Sequence, residues 1–346
     1  MKGISLQELA AKIEANRDLK HDYLAQTATL NLDVQEDGMV RLNAPDHVPM
    51  PILGTAHNQI GARLEIPPKY YNRMLKEQPK LLADNVNTWF KSESEKRMVR
   101  TLGGDVRAFL SDRYQRVENE EIAEVVLPIL ADIPDVRIVS CEVTERRLYI
   151  QAVSPRLQRE VKKGDVVQAG VAISNSEIGL GSSSAAAMFW RCWCDNGAIT
   201  EDVFRKYHVG KRIEDNAELW ADDTKKADDK AILLKFRDMV KAAVNEERFL
   251  ARIEKLQVLA GLMVKGDPAL AVEILAKKVG ASEAEQGGIL RSLISGGDLS
   301  AWGLLNAVTH QAHTARSYDR AVEFEAAGGS LVELTRKEWA EVLEAA

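Results

Sequence analysis

The sequence predicts an α+β protein: a largely antiparallel sheet module with flanking helices, followed by a mostly helical C-terminal module. Three observations carry this. The β-rich runs before residue 200 are joined mainly by short turns, and connections long enough for βαβ crossovers are scarce. Residues 201 to 296 carry almost no β signal and are rich in Ala, Leu, Lys, Glu and Asp at helical spacing. The 346 residues, 45% hydrophobic and 28% charged, have an ordinary globular composition with room for one large or two ordinary domains. The division falls near residue 200, into a mixed module over 1–200 and a helical module over 201–346 expected to pack on the first.

The elements follow in order. "MKGISLQELAAKIEANRDL" reads as an amphipathic helix. "ATLNLDVQEDGMVRLNAP" alternates about the turn Glu36-Asp37-Gly38, a hairpin pattern. "TAHNQIGARLEIPPKYYNRML" gives a Thr- or Asn-capped short helix, a loop through Ile66-Pro67-Pro68 and a helix from Lys69; "LLADNVNTWF" continues helical. "KRMVRTLGGDVRAFLS" is a hairpin whose Gly103-Gly104 pair accepts the positive φ of a primed turn. "NEEIAEVVLPIL" is a helix opened by Asn119, with acids in its first turn. "VRIVSCEV", "RRLYIQAVS", "DVVQAGVAISNSE" and "SAAAMFWRCWC" are strands, the last ending in the turn Asp195-Asn196-Gly197. One long helix is expected from about Ile213 to Met263. Asp267-Pro268 starts another, and "SAWGLLNAVTHQAHTARSYDRAVEFEAAGG" reads as a single helix stopped by Gly328-Gly329.

The net charge of −6 argues against a protein coated with basic residues, yet a local basic strip on an acidic chain can still neutralise phosphates. No apolar run reaches about 18 residues, so no membrane span or secretion signal is expected. Three cysteines, Cys141, Cys192 and Cys194, suit free thiols in a reducing cytoplasm, and two neighbouring thiols are too few for a metal site.

The run Gly179 to Ala187, "GLGSSSAAA", has the glycines of a phosphate loop and resembles the second motif of the galactokinase, homoserine kinase and mevalonate kinase superfamily. Such loops open a helix whose free N–H groups face the anion. Here "MFWRCWC" follows, with strand-forming aromatics, and the superfamily's preceding proline is missing. The reading is a turn between antiparallel strands.

Several stretches, in order, resemble one family: "VRTLGGDVRAFLSDRYQRVEN" (99–119), "VQAGVAISNSEIGLGSSS" (167–184), "FWRCWCDNGAI" (189–199), "KYHVGKR" (206–212) and "LLNAVTH" (304–310). The family is the phage- and plasmid-borne group known as domain of unknown function nine-three-two. The chain departs from it at "WCDNG", where the family has Cys-Thr-Asn-Gly. The resemblance implies a mobile-element protein, often found near recombination and single-strand-binding genes, without fixing an activity.

Arg107, Arg113, Tyr114 and Arg116 lie on or just past a hairpin strand, Arg146 and Arg147 at the next turn, and Arg156, Arg159, Lys162 and Lys163 in the connection before residue 165. Period-two geometry puts Phe189, Arg191 and Trp193 on one strand face, opposite Met188, Trp190, Cys192 and Cys194. Phe189, Arg191 and Trp193 form either a stacking and phosphate platform for single strands or a core patch in which Arg191 pairs with an acid such as Glu177. Asp112 and Glu177 are weighed as an acid/base or metal pair, but spacing offers no third ligand. His310 and His313 share a helix face without a third ligand, and His208 belongs to the joint between modules. No catalytic residue, metal or cofactor is assigned.

The expected function is therefore phage or plasmid DNA metabolism: single-stranded DNA binding, with a part in annealing or recombination. The alternative is an interaction protein that counters a host defence factor, and a nucleotide-dependent enzyme is the third class; self-association into a homo-oligomer is left open. Residues 179 to 184 are expected to support no magnesium-dependent binding of ATP or GTP in calorimetry. A micromolar affinity abolished by Gly181→Val contradicts this.

Overall fold

The computed structural model describes residues 3–114, 116–181, 183–192, 196–200 and 222–345. Its antiparallel sheets, flanking helices and helical C-terminal region are the predicted fold class. Among the described residues no helix is long and apolar enough to cross a membrane.

The N-terminal part holds α1 (Leu6–Arg17), β1 (Lys20–Gln26), β2 (Asn31–Val34), β3 (Val40–Asn43), β4 (Met50–Pro51), α2 (Gly54–Arg63), α3 (Pro68–Glu77), α4 (Pro79–Ser92), β5 (Lys96–Leu102) and β6 (Asp105–Ser111). Ser5 and Glu8 close a capping box that starts α1. The sheets β1-β5-β6 and β2-β3-β4 enclose a core of Leu32, Leu42, Ile60, Tyr71, Leu82, Phe90, Val99 and Phe109 with α2, α3 and α4. The β5–β6 turn is the expected one: Gly103 and Gly104 both have positive φ, 60° and 93°. One residue is extra. Arg100 pairs with Ala108 and Thr101 with Val106, which leaves Arg107 as the bulged residue of β6.

After α5 (Asn119–Asp132) comes a five-stranded antiparallel sheet in the order β11-β10-β9-β8-β7, built from β7 (Arg137–Val143), β8 (Leu148–Lys162), β9 (Asp165–Asn175), β10 (Ser184–Arg191) and β11 (Asn196–Ile199). The α5 cap is Glu118, in a box with Glu121, rather than Asn119. Asn196 and Gly197, read as a turn, begin β11, a strand the sequence reading lacks. Residues 158–162, read as part of a connection, pair with β9 instead, beyond a register shift after Ser154.

The C-terminal helices are α6 (Asp222–Ala243), α7 (Glu246–Gly261), α8 (Pro268–Lys278), α9 (Glu283–Gly296), α10 (Ala301–His310), α11 (Tyr318–Leu331) and α12 (Arg336–Leu343). Two expected helices are divided. Where one was expected over 213–263, the chain breaks before Asn245, whose side chain caps α7 by accepting from the Arg248 amide at 3.0 Å; the segment before residue 222 lies outside the described residues. Over 300–329 a 3-10 turn and the Ser317 cap separate α10 from α11. Gly328 and Gly329 do not stop a helix. They sit inside α11, where a Cβ on Gly329 would stand 1.8 Å from the Ile199 carbonyl oxygen and one on Gly328 2.0 Å from Thr309. Small residues here let α11 lie directly on β11 and α10.

Both faces of the central sheet are covered. One buries Ile150, Val171, Ile173 and Ala187 against α1, α5 and α6, and continues through Val167, Ala169 and Phe189 into the core of the C-terminal helices. The other buries Val153, Met188, Trp190 and Ile199 against Val322 and Ala326 of α11.

Glu325 of α11 is buried on that second face, accepting hydrogen bonds from the Gln151 amide and the Gly197 N–H. Burial raises its carboxyl to about 7 against the pull of those two donors. The folded value lies above the unfolded value near 4.3, so its stabilising contribution is complete below about pH 4 and is lost as pH rises through about 7. Urea denaturation is expected to show wild-type stability falling by more than about 1 kcal/mol between pH 5 and pH 8 from this group. Glu325→Gln should remove that part of the slope; a variant with the wild-type slope contradicts the assignment.

Candidate functional site

Two polar assemblies contain some of the sequence-selected residues. The first is buried, and its centre is Glu177 in the connection from β9 to β10. The Glu177 carboxylate accepts from Lys20 Nζ of β1 at 2.5 Å, from Arg107 Nη1 at 2.6 Å and from the Asn119 amide at the start of α5 at 2.8 Å. The bulge at Arg107 aims that side chain, 6% exposed, into the assembly. Lys20 Nζ also reaches Glu120 at 2.7 Å and Glu118 at 3.2 Å. Arg100, fully buried, donates to Asp22 at 3.0 Å, to the Glu177 carbonyl and to Glu118, and Arg116 holds the other Asp22 oxygen at 2.9 Å.

Four cations thus meet four carboxylates. The oxygens of Glu118, Glu120 and Glu177 lie within 4.8 Å of one another, as metal ligands would, but the Lys20 ammonium already bonds all three. Burial alone would raise the Glu177 carboxyl; the Arg107 charge, then Lys20 and the Asn119 amide, hold it down to about 2. A carboxylate so acidic is a poor general base. Asp112, its proposed partner, is exposed and bonded to the Ser111 hydroxyl instead. Arg107 Nε and Nη2 have no acceptor among the described residues, which makes it the least satisfied member.

The glycine-serine run belongs to the same joint. Ile178 inserts among Met98, Ala108 and Leu110, and Gln59 bridges the Ile178 carbonyl to the Phe109 amide. Gly179 and Gly181 have φ of 74° and 108°, and a Cβ on Gly181 would stand 2.0 Å from Arg147 Nη2, which donates to the Leu180 carbonyl. Tyr114 donates to the Ser176 carbonyl at 3.2 Å. The following strand, β10, begins at Ser184; Ser182 lies outside the described residues.

The remaining basic residues separate into two groups at opposite ends of β8. Arg146 and Arg113 are exposed near the joint. Arg156, Arg159, Lys162 and Lys163 are exposed on the outer half of β8 and the turn into β9. The platform expected on β10 does not form as such. Phe189 is 3% exposed and tilts against Phe249 with centroids 6.2 Å apart, while Trp193 lies outside the described residues, as do Cys194 and His208. Arg191 forks onto Asp165, not Glu177, at 2.7 and 2.9 Å, and Trp302 Nε1 donates to the same carboxylate at 2.8 Å.

The second assembly is a cleft of about 320 Å³ beside the end of β10, between α9 and α10. Arg191, Arg291, Ser292, Asp298, Asn306 and His310 supply its polar groups. Lys162 pairs with Asp298 at 2.5 Å and so stands at its rim, with Lys163 next in the chain. Burial, His313 and Arg191 lower the His310 pKa, so its ring is neutral at pH 7. Arg291, Ser292 and Asn306 escaped the sequence reading because nothing local distinguishes them from other helix residues; only the packing of α9 on α10 brings them to Arg191. Tyr70 and Trp89, exposed rings on the lysine-bearing helices α3 and α4, were missed as well.

No protein-family model matches the chain, and no curated protein or solved structure matches it.

Removing one partner of a buried ion pair strands the other, so Glu177→Gln is expected to cost about 3–5 kcal/mol in chemical denaturation. Lys255→Ala, which breaks the exposed pair with Glu333, should cost less than about 1 kcal/mol. Since the folded Glu177 value lies below the unfolded one near 4.3, its contribution is present above about pH 5 and lost as pH falls toward 2. The variant should lack that part of the acid sensitivity; equal costs for the two substitutions contradict the assignment.

Proposed function

We propose that the chain binds single-stranded nucleic acid, in the DNA metabolism of a phage or plasmid, at the end of the central sheet where the β8–β9 turn meets α9 and α10. The observation that carries the reading is the placement of Lys162, Lys163, Arg191 and Arg291 around one cleft in a chain of net charge −6. Arg156, Lys163 and Arg291 have no acidic partner among the described residues. Lys162 and Arg159 pair with Asp298 and Glu246 at the surface, at 2.5 and 3.9 Å, and exposed pairs of this kind are exchanged for phosphate at small cost. The motif resemblance to the mobile-element family agrees with this reading. An exposed charged strand also discourages edge-to-edge aggregation, a role that needs no ligand; binding separates the two.

Fluorescence anisotropy with a labelled single-stranded oligonucleotide is the test. Affinity should fall steeply with salt, because neutralised phosphates release counterions. Lys162→Ala with Lys163→Ala should weaken binding to all sequences alike and flatten the log–log salt slope by about 1.4. Arg113→Ala with Arg146→Ala, at the other end of β8, should leave both quantities unchanged. If no single strand is retained at low salt, the reading is wrong and an interaction-protein role takes its place.

A further inference from the structure

The α9–α10 cleft has an organisation that a backbone-tracking surface does not need. Leu293, Gly296, Gly303 and Ala307 line it, Gly296 alone of the four being exposed, together with Arg291, Ser292 and His310. Its volume, about 320 Å³, is at the small end of ligand pockets, which run from roughly 300 to 1,000 Å³.

The wall carries a hydrogen-bonded chain from Gln311 through Ser292 to His310. The Gln311 side-chain amide donates to Ser292 Oγ at 3.3 Å, and the Thr314 hydroxyl lies 3.4 Å from the Gln311 backbone carbonyl and 3.5 Å from its Oε1. Ser292 Oγ in turn shares a hydrogen bond with His310 Nδ1, 3.1 Å away. In the tautomer in which Ser292 donates to Nδ1, the proton of the neutral ring sits on Nε2, where it can be donated to a ligand. Arg291 adds a guanidinium with no acidic partner among the described residues. An anion between Arg291 and His310 would receive charge-assisted hydrogen bonds, while a flat ring occupied the cleft beside Gly296.

We infer that this cleft holds one nucleoside 5′-monophosphate unit, with its phosphate on Arg291 and His310 and its base between α9 and α10 beside Gly296. The choice of ligand rests on the nucleic-acid reading above. The unit is either a free nucleotide or the phosphorylated end of a strand; both present the same chemistry.

Calorimetry on the full chain distinguishes these, using deoxyadenosine monophosphate, deoxyadenosine, inorganic phosphate, and a decanucleotide with either a 5′-phosphate or a 5′-hydroxyl. The monophosphate should bind at least about tenfold more tightly than the nucleoside or inorganic phosphate. Arg291→Gln should remove about tenfold of that affinity. Gly296→Leu is a second, steric probe: no atom lies within 4 Å of a Cβ at this position, so the fold tolerates a side chain that fills the cleft. Melting temperature checks both variants. A preference for the 5′-phosphorylated decanucleotide identifies a strand end, and indifference to it with a bound monophosphate identifies a free nucleotide. If the monophosphate binds no better than phosphate or nucleoside, or both variants bind as wild type, the inference is wrong even where the unphosphorylated strand still binds. If the monophosphate binds and no strand does, the cleft stands and the nucleic-acid surface falls.

Discussion

The Glu177 carboxylate is the contact on which the arrangement of this chain depends. It binds β1 through Lys20, β6 through Arg107 and the start of α5 through the Asn119 amide, while its own carbonyl receives Arg100 of β5. Three separate elements of the N-terminal sheet are thereby fixed to the connection that feeds the central sheet. A carboxylate shut away from water is costly, and the neighbouring cations have the same difficulty; the eight charges are tolerable because they offset one another. Burial of this kind gives geometric specificity more securely than stability. An apolar joint could slide, whereas Lys20 meets three carboxylates in one place only.

The other end of the central sheet has the opposite character. There the cations are exposed, several are held by exchangeable surface partners, and a cleft opens beside them. Glu177 and Glu325 show the same contrast within the protein interior. Cations hold the first at about 2; the second, with only amide donors, is raised by burial to about 7. Their opposite titration gives the joint its strength toward neutral pH and the α11 contact its strength toward acid pH.

The legibility of these features in the sequence follows their range. The Gly103-Gly104 hairpin was readable because its turn chemistry lies within four residues. The α7 start was equally local, with Asn245 before Glu246 and Glu247, but helix-favouring neighbours on both sides obscured it. Gly328 and Gly329 looked like a stop because the strand they pack against, β11, is more than 120 residues away and was itself read as a turn. Alternation along β10 placed Phe189 and Met188 on opposite faces correctly, but it could not reveal that helices cover both. The basic residues were visible as a set. Their division into a buried joint and an exposed end was not, since Lys20 and Glu177 are 157 residues apart. The loop that most resembled a phosphate cradle has its glycines because both positions take a positive φ, 74° at Gly179 and 108° at Gly181.

Carbon-detected NMR titration of the Glu177 side-chain carboxyl tests the central claim most directly. The chemical shift should remain that of the carboxylate at pH 4, where an unperturbed glutamate is more than half protonated. An ordinary midpoint near 4.3, or a raised one, would mean that Arg107 and Lys20 do not hold the charge. The joint would then be something other than the ion-pair assembly described.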